Sequence, residues 1–226
     1  MAPHNIWIQC APAARKGQEV ECRLHYGHYL EVDGKAQAAR ARLWAAPPGR
    51  ELEPLALAER DQSLAAVFTP AERGVYALLA EYDRGLWTVT RDRRYLPGPA
   101  AEHPGEGQSA RTIQLGYFAK RLVFVDADGP WPGSFGMELE IVPLAPNGDE
   151  LEMLVQHRGR PLPGAQVHAY CRGKPRTRFA VTGADGKADF GLRPGEWLLL
   201  VRHEEPAAVE GANFRVTNAV FGLTWQ

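Results

Sequence analysis

The chain has 226 residues and a formal net charge of −1 at pH 7, with 23% charged and 45% hydrophobic residues, a balance that suits a globular protein and excludes a polybasic or disordered one. That charge gives no reason to expect a nucleic-acid or anionic-membrane partner, and no apolar run reaches the ~20 residues that cross a bilayer. Three cysteines, Cys10, Cys22 and Cys171, lack metal-ligand spacing, and their odd number argues against a disulfide framework.

Residues 5–10 alternate Ile6, Ile8 and Cys10 against Asn5, Trp7 and Gln9, which predicts a first strand. After a polar loop, residues 18–26 set Val20, Cys22, Leu24 and Tyr26 against Glu19, Glu21, Arg23 and His25, a second strand. A hairpin closed across the loop would place Cys10 near Gln18, His4 near Leu24 and Ile6 opposite Cys22. In that register Cys10 and Cys22 lie too far apart for a disulfide, and all three thiols are expected to stay unpaired. Further strands are expected over 39–45, 63–69, 74–82 and 86–90, with a tight turn at Asp83-Arg84-Gly85. A helix is the alternative over 36–46, because Ala and Arg favour one. Residues 1–93 therefore read as one immunoglobulin-like β-sandwich.

Residues 94–111 are rich in Pro and Gly, carry His103 and show no hydrophobic period, so they read as a linker or long surface loop. Strand patterning resumes over 112–126 and continues through Met137-Glu138-Leu139-Glu140-Ile141-Val142-Pro143 to Trp225. Over 148–203, short β-rich runs alternate with Gly, Pro and Asp clusters at roughly 8–12-residue intervals, the spacing of a sandwich. Ala184-Asp185-Gly186-Lys187 reads as a hairpin turn in which Gly supplies the positive φ. This stretch resembles transthyretin-like and carboxypeptidase-regulatory-like sandwiches. The expected fold class is all-β, with two sandwich modules, 1–93 and 112–226, on either side of 94–111.

Chain parity puts His4 with Ile6 and Ile8, and His28 with Leu24 and Tyr26. In the expected hairpin these two imidazoles project from one face at one end of the sheet, while His25 falls on the other face. Imidazole nitrogen suits nickel, cobalt, copper and zinc alike. Glu21, Glu204 and Glu205 are candidate carboxylate ligands or supports. His103 reads as solvated, His157 as a residue preceding a turn, and His168 as structural. The six tryptophans are spread along the chain, which favours core packing over a sugar-binding platform. No Gly-x-Ser-x-Gly elbow, phosphate-cradling glycine loop or His-Glu-x-x-His is present, so no enzymatic constellation is read.

The runs Gly136-Met137-Glu138-Leu139-Glu140-Ile141-Val142-Pro143-Leu144, Gly148-Asp149, Gly159-Arg160-Pro161-Leu162-Pro163-Gly164-Ala165-Gln166-Val167, Asp185-Gly186 and Gly195-Glu196-Trp197-Leu198-Leu199 occur in this order. With Ala119-Lys120, the opening His4-Asn5-Ile6-Trp7, Gly27-His28 and His203, they resemble a bacterial family associated with nickel uptake and with the periplasmic component of cobalt-type ABC transport systems. The resemblance covers nearly the whole chain and implies a divalent metal, nickel or cobalt, held by His4, His28 and His203; the residues themselves add His25 and Glu204 as subordinate candidates. It implies a membrane metal transporter as partner and no insertion in the membrane.

The opening Met1-Ala2-Pro3-His4 has no charged region followed by an apolar one, so no secretory signal is read there. A periplasmic protein is expected if a signal was removed, and a cytoplasmic one otherwise. Two other functions stay open: a metal-free adhesion or carbohydrate-binding β module, and a copper enzyme of the histidine-brace kind. The brace needs a native N-terminus at His4, because its first histidine ligates through its own amine.

Overall fold

The computed structural model describes residues 4–225 except 29, 107–109, 127–128, 145, 147–149 and 175–176. The Gly148-Asp149 pair and the residues before His4, on which readings above depend, lie outside that set. In chain order the strands are β1 (Asn5–Cys10), β2 (Ala13–Ala14), β3 (Val20–His28), β4 (Glu31–Gly34), β5 (Ala41–Ala46), β6 (Glu53–Pro54), β7 (Ala58–Arg60), β8 (Ser63–Phe68), β9 (Gly74–Val89) and β10 (Tyr95–Pro97). They continue as β11 (Arg111–Val125), β12 (Leu139–Pro143), β13 (Glu150–His157), β14 (Arg160–Pro161), β15 (Gln166–Cys171), β16 (Arg178–Val181), β17 (Lys187–Gly191), β18 (Gly195–Pro206) and β19 (Phe214–Trp225). Helix is confined to short 3-10 turns among the described residues, including Ala38–Arg40, where the sequence left a longer helix open. The protein is all-β, and no helix among these residues is long and apolar enough to cross a membrane.

Three sheets are stacked. The central one runs β16-β15-β18-β19-β11-β9-β5-β6, with β10 on β9 and β2 on β11. One outer sheet holds β1, β3, β4, β7 and β8; the other holds β12, β13, β14 and β17. Alternate residues of the long central strands face two different cores. Tyr76, Leu78, Ala80 and Tyr82 of β9 pack with Ile6, Leu24 and Leu64 of the first outer sheet. Val75, Ala77 and Leu79 pack with Leu139, Met153 and Phe190 of the second. A strand buried on both faces needs apolar side chains at every position, which is why Val75 to Ala80 shows no alternation.

The sandwich layers expected for the two halves are therefore present and share the central sheet. Residues 94–111 connect β9 to β11, its neighbour over fifteen register positions, and contain β10 and two 3-10 turns. The expected turn at Asp83-Arg84-Gly85 is instead a β-bulge. Gly116 pairs with Asp83 and Leu115 with Gly85, so Arg84 is the extra residue and β9 runs on through it. Ala184-Asp185-Gly186-Lys187 is a turn with Gly186 at φ 77°, yet not a hairpin. The strands it joins pair elsewhere, β16 with β15 and β17 with β13, so the chain crosses from one sheet to another.

The first hairpin also differs in register from the sequence expectation. Cys10 pairs with Cys22 and Asn5 with Gly27, a slip of four residues along β3. The loop is longer than expected because Ala13 and Ala14 leave it to pair with Phe124 and Val125 of β11. A slip by an even number keeps every side chain on its face. All three cysteines are free, but the register that was to keep Cys10 from Cys22 is not the one formed.

One ion pair locks the central sheet to the second outer sheet. Lys120 of β11 and Glu140 of β12 are both fully buried and paired. Glu140 also accepts from Ser134 Oγ at 2.7 Å, Phe135 N at 3.0 Å and Gly136 N at 3.2 Å. Burial pulls the Lys120 amine down and the Glu140 charge opposes that. Removing one partner would strand a buried charge, at a cost of about 3–5 kcal/mol.

Candidate metal centre

The site forms where β1 starts and the β3–β4 hairpin turns. Asn5 pairs with Gly27, so His4, one residue earlier, comes opposite His28. Their rings lie 4.1 Å apart between centroids. Leu30 closes the β3–β4 turn at φ 71°. On the way back, Tyr26 pairs with Gly34 and Gly27 with Val32, which leaves Asp33 as a bulge residue between them. Such a bulge re-aims a side chain. Here it brings the Asp33 carboxylate to both imidazoles: Oδ1 is 3.2 Å from His4 Nε2, and Oδ2 accepts from His28 Nδ1. Gly27 permits the arrangement, because a Cβ there would sit 2.1 Å from the Glu31 carbonyl oxygen.

His4, His28 and Asp33 each offer a ligand atom, all within 4.8 Å of one another. The His4 ring stacks on Tyr26 at 4.5 Å and 9°. Asn218 of β19 holds this end of β1 to the central sheet, its Nδ2 donating to Asn5 Oδ1 at 2.9 Å and to the His4 carbonyl at 3.4 Å. Burial, with the neighbouring His28 and Arg84, pushes His4 below the ordinary imidazole pKa against the opposing pull of Asp33. The hydrogen bond from His28 holds the Asp33 carboxyl below its usual range. A neutral imidazole beside an ionised carboxylate is the protonation state in which such groups bind a metal. Two nitrogens and one oxygen, from the start of β1 and the β3–β4 hairpin, would leave coordination positions open.

His203 is not part of this group. It lies on β18 opposite Thr217, and its ring is 4.4 Å from that of His157 on β13. With Glu205 these residues form a second cluster, between the central sheet and the second outer sheet, again with ligand atoms within 4.8 Å. Sequence order does not show that β13 lies across from β18, so from the sequence His157 is only a residue before a turn. The His157 pKa is lowered by burial and by His203. Glu205 is held by Arg158, whose Nη2 donates to Oε1 at 2.5 Å.

The remaining candidates stand apart from both clusters. His25 is buried beside Trp7 and bonded through Nε2 to Gln9 Oε1 at 2.9 Å, on the other face as expected. Glu204 faces Arg202 at 3.6 Å, and Glu21 accepts from Arg23 at 2.7 Å. His103 Nε2 donates to the Pro97 carbonyl at 2.7 Å. Asp33 was missed in the sequence, where Asp33-Gly34 has the look of a turn dipeptide.

Similarity to solved structures is faint. A DUF4785 family protein from Legionella pneumophila is 11% identical, with a TM-score of 0.32 over 86% of this chain, which spans 51% of that one. The D0-D1 domain of intimin is 13% identical over 98% of both chains, with a TM-score of 0.24. Salmonella α-2-macroglobulin is 9% identical, with a TM-score of 0.32 over 98% of this chain and 15% of that one. Comparison with curated proteins gave no match. A family model does match, over residues 1–205, and its description is "Domain of unknown function (DUF4198)"; the chain belongs to that family.

Proposed function

We propose that the protein binds a divalent transition metal, nickel or cobalt, and serves its uptake as a carrier rather than as an enzyme. The observation that carries the reading is the convergence of His4, His28 and Asp33 within 4.8 Å, brought about by the bulge at Asp33 and the close approach that Gly27 allows. An incomplete ligand set suits a protein that must give up its ion, whereas a closed cage of four protein ligands suits a structural one. On this reading the protein works in the periplasm beside a membrane metal transporter that receives the ion.

Isothermal titration with Ni²⁺ and Co²⁺ at pH 7.5 tests the reading. The expected outcome is one site that His28→Ala abolishes and His103→Ala leaves intact. Equal binding by wild type and His28→Ala would end the proposal and return the protein to the metal-free β-module reading.

A further inference from the structure

A cavity of about 450 Å³ opens beside the metal centre, between the first outer sheet and the central one. That volume lies within the range of small-molecule sites. His4 and Tyr26 form its metal-side wall, and Arg84, Trp87, Tyr95 and Tyr117 supply much of the rest. Arg93 and Arg94 also line it, and none of the described lining residues is acidic. Arg94 is already committed to Asp92 and Glu106.

Arg84 is different. As the bulge residue of β9 its guanidinium lies 4.0 Å over the Trp87 ring and 5.1 Å over Tyr26. Its buried Nε has no hydrogen-bond partner among the described residues, and neither does the hydroxyl of Tyr26, a residue only 4% exposed. Buried donors are ordinarily satisfied, so two unsatisfied ones on residues that line one cavity mark this wall as rich in donors and short of acceptors. A guanidinium next to His4 would also repel a divalent cation there unless an anion lay between them.

We propose that this cavity takes a small planar aromatic carboxylate that chelates the ion bound at His4, His28 and Asp33. The carboxylate meets the Arg84 guanidinium, whose fork matches a carboxylate's two oxygens. The ring fits the aromatic walls, and a donor atom next to the carboxylate fills an open position on the metal. The proposal rests on the metal-binding reading, and it makes the carried species a metal chelate rather than a bare ion.

Pyridine-2-carboxylate, which has a ring nitrogen beside its carboxylate, is the probe, and benzoate, which lacks that nitrogen, is its control. Both are titrated calorimetrically into metal-free and nickel-loaded protein. Metal-free protein is expected to bind the two acids alike, and nickel-loaded protein to prefer pyridine-2-carboxylate by about tenfold or more. Arg84→Gln should weaken both acids by about 10–100-fold, the worth of a lost charged hydrogen bond, while Ni²⁺ alone binds no more weakly than to wild type. Arg93→Gln is a second variant on the same wall should Arg84→Gln fail to fold, with a smaller loss expected in the same direction. His28→Ala should keep benzoate binding and lose the preference for the chelator.

If nickel binds but neither acid does, the cavity proposal is overturned and the metal reading stands. If both acids bind equally with and without nickel, the chelate is overturned. If the acids bind and nickel does not, the metal reading fails, and the chelate with it.

Discussion

The two histidine clusters contain the same kinds of residue and differ in what already holds the carboxylate. Asp33 reaches His4 and His28 from a bulge, and no cation is paired with it among the described residues. Glu205 reaches His157, at 3.7 Å, while Arg158 donates to it, and Arg158 and Arg215 also share Glu138. A carboxylate neutralised by a guanidinium offers less attraction to an incoming dication, and the guanidinium repels that ion as well. Two imidazoles and a carboxylate within reach of one another are therefore not enough. On the proposed reading, what already neutralises the carboxylate separates a group free to take an ion from one built into an ion-pair network that joins two sheets.

The difference can be broken by removing either carboxylate. Asp33→Asn is expected to weaken nickel binding by about 10–100-fold, the usual loss when a metal site loses a carboxylate partner. Glu205→Gln should leave the titration unchanged. Similar losses in both variants would show that nickel uses the two clusters without distinction. A smaller effect sharpens the comparison from the other side. Arg158→Gln frees Glu205, so a second equivalent of nickel should appear or tighten by about tenfold, as expected when a repelling charge near 1.4 kcal/mol is removed. An unchanged stoichiometry would mean that Arg158 is not what keeps the second cluster from binding.

Much of the fold was legible because strand signals are local. The starts of β8 and β9, the extent of β1 and the turn at Gly186 follow from apolar pattern and glycine position alone. The face shared by His4 and His28 also survived, since a four-residue slip does not change parity. What escaped depends on partner strands. The bulges at Asp33 and Arg84 exist only relative to β3 and β11, so the Arg84 stretch reads as a turn and Asp33 is passed over. The continuous apolar run in β9 fits a strand buried on both faces, but it does not say which two sheets supply the cores. The contact between His157 and His203 spans two sheets, and no local pattern encodes it.

The smallest expected effect is on stability against pH. Burial lowers the pKa of His4, His25 and His157 in the folded protein, so each binds a proton more readily when unfolded. Stability is then complete above the unfolded value of about 6.5 and drains away as pH falls from there toward the folded values. Asp33 acts only further down, because its folded pKa is depressed below an already acidic reference. Calorimetric melting of metal-free protein at pH 7.5 and 5.5 should show Tm lower at 5.5 by roughly 2–4 °C, the shift expected for about 1 kcal/mol in a chain of this size. His157→Asn should flatten part of that slope without touching nickel binding. His4→Asn should flatten another part and remove nickel binding with it. Nickel holds an imidazole in its neutral form, so saturating nickel should add more to the wild-type Tm at pH 7.5 than at 5.5. An equal gain at both pH values would mean that the ion is not competing with protons for these histidines.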